Sequence, residues 1–240
     1  MSVNYGTSIA TSGLVFCIDA GNIKSYSGSG TAVSDITTKR SSCTLVNGVA
    51  YSASNLGIFV FDGTNDYISV PSQNDAQAPL TGFGSFTGAS ANSFTLEIWI
   101  KTSQVAGSSS FNAPGLIARD NGDIYSNLTL YNGYVYFTHY DGAWQSNLKS
   151  TTMVSNNAWH QIVYVNNSNS TGSIYVDTNN EVTGSSAVAG SNYFSPDNIG
   201  WGYSSQYFSG SIGSVKFYDR SLTAVEIQQN FNALRGRYGI

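Results

Sequence analysis

Residues 207–234 read YFSGSIGSVKFYDRSLTAVEIQQNFNAL. Ile212–Tyr218 is rich in apolar and aromatic residues and predicts a strand, which Asp219–Arg220 ends in a tight turn. The residues that follow are the only part of the chain that convincingly predicts a helix. A single short helix after a long run of strands must pack its apolar side on something, and we expect a β-sandwich to provide that surface.

Several local signals agree on this helix. Thr223 and Glu226 have the spacing of a capping box, and Leu222 and Ile227 have the spacing of a hydrophobic staple. The apolar stripe consists of Ala224, Ile227, Phe231 and Leu234. Gly236 follows the stripe, and glycine is common where a helix ends. We therefore predict a helix that begins after Thr223 and ends at Gly236.

The centre of the chain predicts an antiparallel meander. In Phe94–Lys101, apolar residues alternate with Thr, Glu, Trp and Lys, which indicates a half-buried strand. Asn121-Gly122, Asn132-Gly133 and Asp141-Gly142 are about ten residues apart, and such pairs suit two-residue hairpin turns. Regular turns at this spacing are typical of a sandwich. In total we expect about a dozen to fourteen strands, with no internal repeat and no domain linker.

The first third of the chain is less regular. Leu14–Asp19 predicts a strand covered on both faces, and residues 20–42 predict a polar loop. Ile58–Phe61 and Tyr67–Val70 flank Asp62-Gly63 and predict a hairpin or a bulged turn. Residues 71–92 contain two prolines and no periodicity, so we expect a long loop there.

Three segments carry a resemblance to a known family. Phe208–Ile227 (FSGSIGSVKFYDRSLTAVEI), Phe94–Lys101 (FTLEIWIK) and Trp159–Val165 (WHQIVYV) resemble the closing motif and two strands of laminin-G-like, concanavalin A-like jelly-roll domains. The resemblance extends over roughly residues 13–234. It implies an all-β antiparallel sandwich with one short C-terminal helix. We expect one such domain over residues 1–240, with an N-terminal arm at 1–12 and a tail at 235–240.

Three further segments make the resemblance more specific. GLVFCIDAGNIKSYSGSGT (13–31), FDGTNDYISV (61–70) and NFNALRGRYGI (230–240) are similar to versions of this domain in structural proteins of tailed bacteriophages, especially those that infect marine cyanobacteria. The resemblance implies a virion surface protein, either a capsid decoration protein or a tail or fibre adhesin. Its expected partners are other virion proteins and host-surface glycans, with homo-oligomerisation left open.

Composition excludes several functional classes. Only 10% of the residues are charged, the net charge is −4 and the pI is about 4.9, so the basic surface that binds nucleic acid is missing. No apolar run approaches the roughly 18 residues of a membrane span, and the N-terminus lacks the features of a signal peptide. We expect synthesis in the bacterial host cytoplasm. Cys17 and Cys43 are then expected as buried thiols, with a disulfide as the alternative.

The sequence lacks paired catalytic groups. Glycosidases of this fold need two carboxylates across one bond, and the E-x-D-x-x-E pattern of the relevant relatives is absent. Glutamate occurs only at 97, 181 and 226, and Glu97 has no acidic neighbour on its face. His160 follows Trp159 in a pair that the resemblance implies is structural, and His139 lies on a strand near Phe137. We predict no enzyme activity, with a glycoside hydrolase as the less favoured alternative.

Calcium is the only cofactor worth weighing, because it binds carboxylate, amide and carbonyl oxygens. The candidate ligands form two clusters: Asp62, Asn65 and Asp66, and separately Asp120, Asn121 and Asp123. Each cluster also has a simpler interpretation as a turn, since Asp and Asn side chains bond their own backbone there. The turn interpretation is favoured. At the closing motif, Gly213 or Ser214 stands where relatives often carry an acidic residue.

Aromatic residues in polar loops favour binding over catalysis. Trp144 lies in the predicted polar turn 141–146 next to Tyr140, and Trp201, Tyr203 and Tyr207 lie in 201–207. Rings with amides and hydroxyls nearby suit sugars, because the ring covers the C–H face while polar groups pair with the sugar hydroxyls. The alternative is that these rings cover the ends of the sandwich, whereas Trp99 and Trp159 are expected in the core or in the packing between the sheets. We predict glycan or host-surface attachment; the second hypothesis is a purely structural decoration protein that stabilises the particle.

Overall fold

The computed structural model describes residues 8–71, 93–121, 124–140, 144–167, 171–185 and 196–240, with backbone only at 120–121, 124–126 and 144–147. Strands are numbered in chain order and form two sheets. Sheet A contains, in spatial order, β14 (Asn179–Ser185), β13 (Thr171–Val176), β12 (Trp159–Asn166), β7 (Phe94–Lys101), β18 (Ser209–Tyr218), β5 (Ile58–Asp62) and β4 (Ala50–Ser52), with β1 (Leu14–Asp19) also paired to β18. Sheet B contains β11 (Trp144–Lys149), β10 (Tyr134–Tyr140), β9 (Ile124–Tyr131), β8 (Gly115–Asn121), β15 (Asn198–Ile199), β6 (Tyr67–Ser69), β3 (Ser42–Val46) and β2 (Ala32–Ser34). A separate hairpin consists of β16 (Trp201–Gly202) and β17 (Gln206–Tyr207), and the helix α1 spans Ala224–Tyr238.

The strands pair antiparallel, and the sandwich core lies between the two sheets. Leu96, Ile98 and Ile100 of β7 face this core from sheet A. Phe137 of sheet B stacks on Tyr164 of sheet A with ring centroids 3.8 Å apart. The predicted fold class, an all-β sandwich with one C-terminal helix, is confirmed.

Helix α1 packs on the outer face of sheet A. Thr223 and Glu226 form the predicted capping box. Phe231 and Tyr238 stack on Trp99, with centroids 5.6 and 4.5 Å away. The molecule therefore has three layers, which are the helix, sheet A and sheet B.

The helix is longer than predicted, because Gly236 lies inside its last turn and Gly239 forms the left-handed cap. Residues 235–238, expected in a tail, therefore belong to α1, which also brings Tyr238 onto the sheet. At the other terminus, Ala10 donates its amide to Asn230 at 2.7 Å. Part of the expected N-terminal arm thus packs on the helix.

Strand β7 is buried on both faces rather than half-buried. Its apolar residues meet sheet B, and its other face lies under α1. Trp99 and Trp159 are buried as predicted, but they pack beneath the helix with Tyr238 rather than between the sheets. No helix among the described residues has the length and apolar character needed to cross a membrane.

Three further expectations need correction. The segments around Asp62-Gly63 do not form a hairpin, because β5 joins sheet A while β6 joins sheet B. The expected polar loop 20–42 contains the short edge strand β2. The described residues contain 18 strands, more than predicted, since strands of two or three residues carry too little pattern to detect.

The remaining expectations have different outcomes. The meander β8 to β11 has the predicted order, and Asn132 and Gly133 have φ of 50° and 82°, as a type I′ turn requires. The loop expected at 71–92 lies outside the described residues apart from residue 71. Cys17 and Cys43 are buried free thiols, as predicted.

Candidate functional site

The β16–β17 hairpin brings two of the predicted aromatic residues together. Trp201 pairs with Tyr207 in the hairpin register. Their rings are nearly parallel, at an angle of 14° with centroids 6.0 Å apart. Tyr203 lies on the turn that joins the two strands, where Ser204 has a φ of 58°. A short turn therefore converts sequence neighbours into a stacked pair.

Tyr67 extends this pair into a group of three rings. Its neighbour Ile68 on β6 belongs to the sandwich core, so Tyr67 lies on the outer face of sheet B. Its ring centroid is 5.0 Å from that of Trp201. Tyr67, Trp201 and Tyr207 are each half-buried and together form what we call the ring cluster. Sequence analysis missed Tyr67, although its alternation with Ile68 indicated an outward-facing position.

Close backbone packing fixes the hairpin. A Cβ atom on Gly115 would lie 2.5 Å from the Trp201 carbonyl oxygen, and one on Gly202 would lie 2.8 Å from the Ala113 carbonyl oxygen. The hairpin can lie against the start of β8 because neither glycine has a side chain.

A side-chain amide ties the same hairpin to the loop after β7. The Gln104 side chain donates to the Tyr207 carbonyl at 3.0 Å and accepts from the Ser209 amide at 2.9 Å. The ring cluster is therefore held by two independent attachments before any ligand arrives.

The indole Nε1–H of Trp201 is buried and has no hydrogen-bond partner in the part of the chain that the structure describes. An unsatisfied buried donor costs about 1–3 kcal/mol. Because this atom is buried, the surface that the ring cluster presents to a ligand consists of its apolar ring faces and not of the indole donor.

The other predicted binding residues lie elsewhere on sheet B. Trp144 begins strand β11 rather than lying in a polar turn, and its backbone pairs with that of Tyr140. Tyr140 on β10 is four strand spacings from Tyr67 on β6, and Trp144 on β11 is five, or about 19 and about 24 Å across the sheet. The structure does not bring the two predicted groups into one site. Residues 141–143 and the Trp144 side chain lie outside the described residues.

A second group of rings lies on strands β9 and β10 of sheet B. The Lys149 ammonium is 4.2 Å from the ring centroid of Tyr134 and 5.9 Å from that of Tyr136. Tyr131 and Tyr136 are 5.8 Å apart. Sequence analysis also missed this group, and the alternate tyrosines of β10 were the available signal.

The first calcium candidate has the bonding of a turn. The Asp62 carboxylate accepts the Thr64 amide at 2.7 Å, and the Asp66 carboxylate accepts the Asp62 amide at 3.2 Å. Burial raises the pKa of Asp66, which the Asp62 charge raises further. The main-chain carbonyl of Asn65 accepts from the side-chain amide of Asn47 at 3.0 Å. These oxygens already serve the loop between β5 and β6.

The second candidate cluster is only partly described. Asp123 and the side chains of Asp120 and Asn121 lie outside the described residues. In the rest of the chain, no group of three His, Cys, Asp or Glu side chains is arranged to hold a metal ion.

Glu97 is fully buried beneath α1. Its carboxylate accepts from the Lys216 ammonium at 2.8 Å and from the Asn230 amide at 2.6 Å. Burial lowers the pKa of Lys216, but the charge and hydrogen bond of Glu97, together with the contributions of Cys17 and Asp19, outweigh it, so the pKa is raised and the ammonium keeps its proton. Asn230 also donates to the Tyr218 hydroxyl at 2.9 Å. The carboxylate is a structural partner in a closed polar network.

The other two glutamates are also engaged. Glu226 caps α1 and pairs with Arg220 at 2.5 Å, and this hydrogen-bonded pair lowers the pKa of Glu226 to about 2. Glu181 accepts from the main-chain amides and hydroxyls of Thr151 and Thr152. Burial opposes ionisation of Glu181, yet these bonds leave its pKa lowered.

The histidines are packed within the sandwich. His160 lies 2.6 Å from Asp177 through Nδ1 and 3.0 Å from Asn156 through Nε2. His139 is buried beside Phe137, with ring centroids 6.4 Å apart. His160 lies where sequence analysis expected a packed residue, and His139 lies on the expected strand.

A family model described as the concanavalin A-like lectin/glucanases superfamily matches residues 62–228. The chain belongs to this superfamily. No curated protein matches the sequence at a significant level. The assignment agrees with the two antiparallel sheets and with the closing strand β18 and helix α1.

Solved structures resemble this concanavalin A-like domain at low sequence identity. Domain 4 of AbnA, a GH43 extracellular arabinanase from Geobacillus stearothermophilus, in complex with arabinotriose, is 14% identical with a TM-score of 0.67, covering 93% of this chain and 100% of that one. The receptor binding domain of botulinum neurotoxin D is 13% identical with a TM-score of 0.67, covering 91% and 52%. The binding domain of botulinum neurotoxin DC in complex with SialylT is 12% identical with a TM-score of 0.65, covering 92% and 52%. The chain thus spans about half of each neurotoxin domain, and these likenesses show a shared fold.

Proposed function

We propose that this concanavalin A-like domain is a non-catalytic glycan-binding protein that binds sugars through the ring cluster. The observation that carries the proposal is the stacked pair Trp201–Tyr207 with Tyr67 beside it on the outer face of sheet B. The reported complexes of similar folds with arabinotriose and SialylT support a saccharide as the ligand class.

Ring faces suit sugars for a physical reason. One side of a pyranose or furanose ring presents mainly C–H groups, and a flat aromatic surface removes that apolar area from water. The polar groups of Gln206 and Ser204 on the hairpin can then pair with sugar hydroxyls. The fixed backbone around Gly115 and Gly202 lowers the entropic cost of binding, since the rings need little reordering.

The proposal that the protein is not an enzyme depends on the partners of its three glutamates. Glu97 is buried against Lys216, Glu226 is paired with Arg220 and Glu181 is bonded to two threonines. Hydrolysis of a glycosidic bond needs two carboxyl groups that flank the substrate, one as acid and one as base or nucleophile. Turnover of a polysaccharide that survives Glu97→Gln would contradict this part of the proposal.

The biological setting is a tailed-bacteriophage particle. We propose that the protein is made in the host cytoplasm and displayed on the virion surface, where its partners are other virion proteins and host-surface glycans. This part depends on the resemblance of residues 13–31, 61–70 and 230–240 to phage structural proteins. Tyr140 and Trp144 would belong to a second contact surface on the same sheet.

A glycan array combined with a particle-attachment assay tests the proposal. The expected result is binding to a limited set of glycans that is weakened in Trp201→Ala and Tyr207→Ala. A matched control is Tyr51→Ala, because Tyr51 is also a half-buried ring in contact with another ring, Tyr26, but lies on sheet A. An array without signal, together with stoichiometric attachment to particles, would favour a purely structural decoration protein instead.

A further inference from the structure

A cavity of about 440 Å³ lies beside β2 and shares no residue with the ring cluster. Its walls come from the loop before β2 and the loop between β2 and β3. The volume is within the range of about 300–1,000 Å³ that is common for small-molecule sites. The cavity is therefore large enough for one or two sugar units.

Two cations line this cavity without a salt-bridge partner. Lys24 and Arg40 are exposed, and within the described ranges neither lies within 4.0 Å of a carboxylate, whereas Lys216, Arg220 and Arg237 each do. Lys39, Lys101, Lys149 and Arg235 also have no salt bridge among the described residues, but of these unpaired cations only Lys24 and Arg40 line this cavity. Two positive charges at one cavity favour an anionic ligand.

The acidic residue of the cavity has other partners. Asp35 is 2% exposed, and its carboxylate accepts the amides of Cys17 and Thr37, each at 2.9 Å, and the Thr37 hydroxyl at 2.6 Å. Asp35 therefore holds the loop against β1 and does not pair with the two cations.

The loop that carries Arg40 is closed and constrained. The Asp35 amide donates to the Ser41 carbonyl at 2.8 Å, and the Ile36 amide donates to the Cys17 carbonyl at 2.9 Å. Arg40 has a φ of 51°, in the left-handed region that a non-glycine residue adopts at a cost of about 1–2 kcal/mol. The main-chain bonds of Asp35 and Ile36 fix the backbone of the loop that carries Arg40 despite that cost.

The remaining walls are suited to a sugar. Ser34 and Thr38 supply hydroxyl groups, and Ile36, 38% exposed, supplies an apolar surface. We propose that this cavity is a second binding site, for an acidic saccharide whose carboxylate pairs with Arg40 and Lys24. Arginine binds carboxylates in a two-pronged geometry, while the hydroxyls and Ile36 contact the sugar ring.

The test is an NMR titration of the full chain with glucuronic acid, glucose and glucose 6-phosphate. Glucuronic acid and glucose differ only at the carboxylate carbon. We expect glucuronic acid to shift the amides of Thr37 and Thr38 and to bind at least tenfold more tightly than glucose. Lys24→Gln and Arg40→Gln should each weaken it at least tenfold. Lys39→Gln, which makes the same charge change on the same loop outside the cavity, should weaken it less than twofold.

Three outcomes would overturn the inference. These are no shift with tens of millimolar glucuronic acid, equal losses in Lys39→Gln, and equal or tighter binding of glucose 6-phosphate. Melting curves show whether each variant is folded; exposed substitutions of this kind change stability by about 0.5 kcal/mol or less. Trp201→Ala should leave glucuronic acid binding unchanged, so failure at this cavity and failure of the ring cluster give different results.

Discussion

Replacing Lys216 by Met would remove the cation that neutralises Glu97 beneath helix α1. Glu97 is 0% exposed and Lys216 is 2% exposed, so water cannot take the place of the lost ammonium. Asn230 would remain as a hydrogen-bond donor at 2.6 Å, but it carries no charge. The variant must therefore fold around a buried, uncompensated carboxylate or protonate it.

The expected cost follows from this geometry. Breaking a fully buried ion pair by removing one partner costs about 3–5 kcal/mol, whereas replacing both partners with apolar residues is often close to neutral. For a chain of this size, about 1 kcal/mol shifts the melting temperature by roughly 2–4 °C, so Lys216→Met should lower it by roughly 6–20 °C. The double variant Glu97→Met/Lys216→Met should recover most of that loss.

Thermal and urea unfolding measure the stability of both variants. A loss below about 1 kcal/mol would contradict the idea that the pair is sealed from solvent. So would a double variant that is less stable than Lys216→Met.

Two further predictions concern the cap and the thiols. Glu226→Gln should destabilise the protein by about 1–2 kcal/mol at pH 7, discounted for partial exposure of the pair with Arg220. Since the folded pKa of Glu226 is lowered to about 2, this difference is present above about pH 4.5 and should disappear as the pH falls to 2; a difference constant over that range in urea unfolding would contradict it. Burial raises the pKa of Cys17 to about 12 and also raises that of Cys43, so neither thiol should react with Ellman's reagent at pH 8 until the chain is unfolded. Rapid labelling of either thiol in the folded protein would show that its site opens to solvent.

Local signals predicted much of the fold. The capping box at Thr223 and the Asn132-Gly133 turn act over a few residues, and both are present as predicted. The alternating pattern of Phe94–Lys101 shows that the two faces of the strand differ. It could not show that a helix covers the more polar face. Glu97 and Lys216 resemble surface residues in sequence and become a buried pair only when distant strands meet.

The candidate site shows the same limit. Trp201 and Tyr207 could be predicted together because a short turn joins them, whereas Tyr67 arrives on a strand from another part of the chain. Asp62-Gly63 indicated a hairpin, but a turn signal does not determine which sheet the next strand joins. Trp144 follows Asp141-Gly142 in a polar segment that is typical of a turn, yet its backbone begins strand β11.

The central claim is that the ring cluster binds sugar, and the most direct measurement is the affinity of the strongest array glycan for three variants by isothermal titration calorimetry. Truncating a ring that contacts the ligand should cost more than about 1.4 kcal/mol, which is tenfold in affinity. We predict at least this loss for Trp201→Ala and for Tyr207→Ala, and less than twofold for Tyr51→Ala. Unchanged affinity in both ring-cluster variants while they remain folded, or an equal loss in Tyr51→Ala, would contradict the claim.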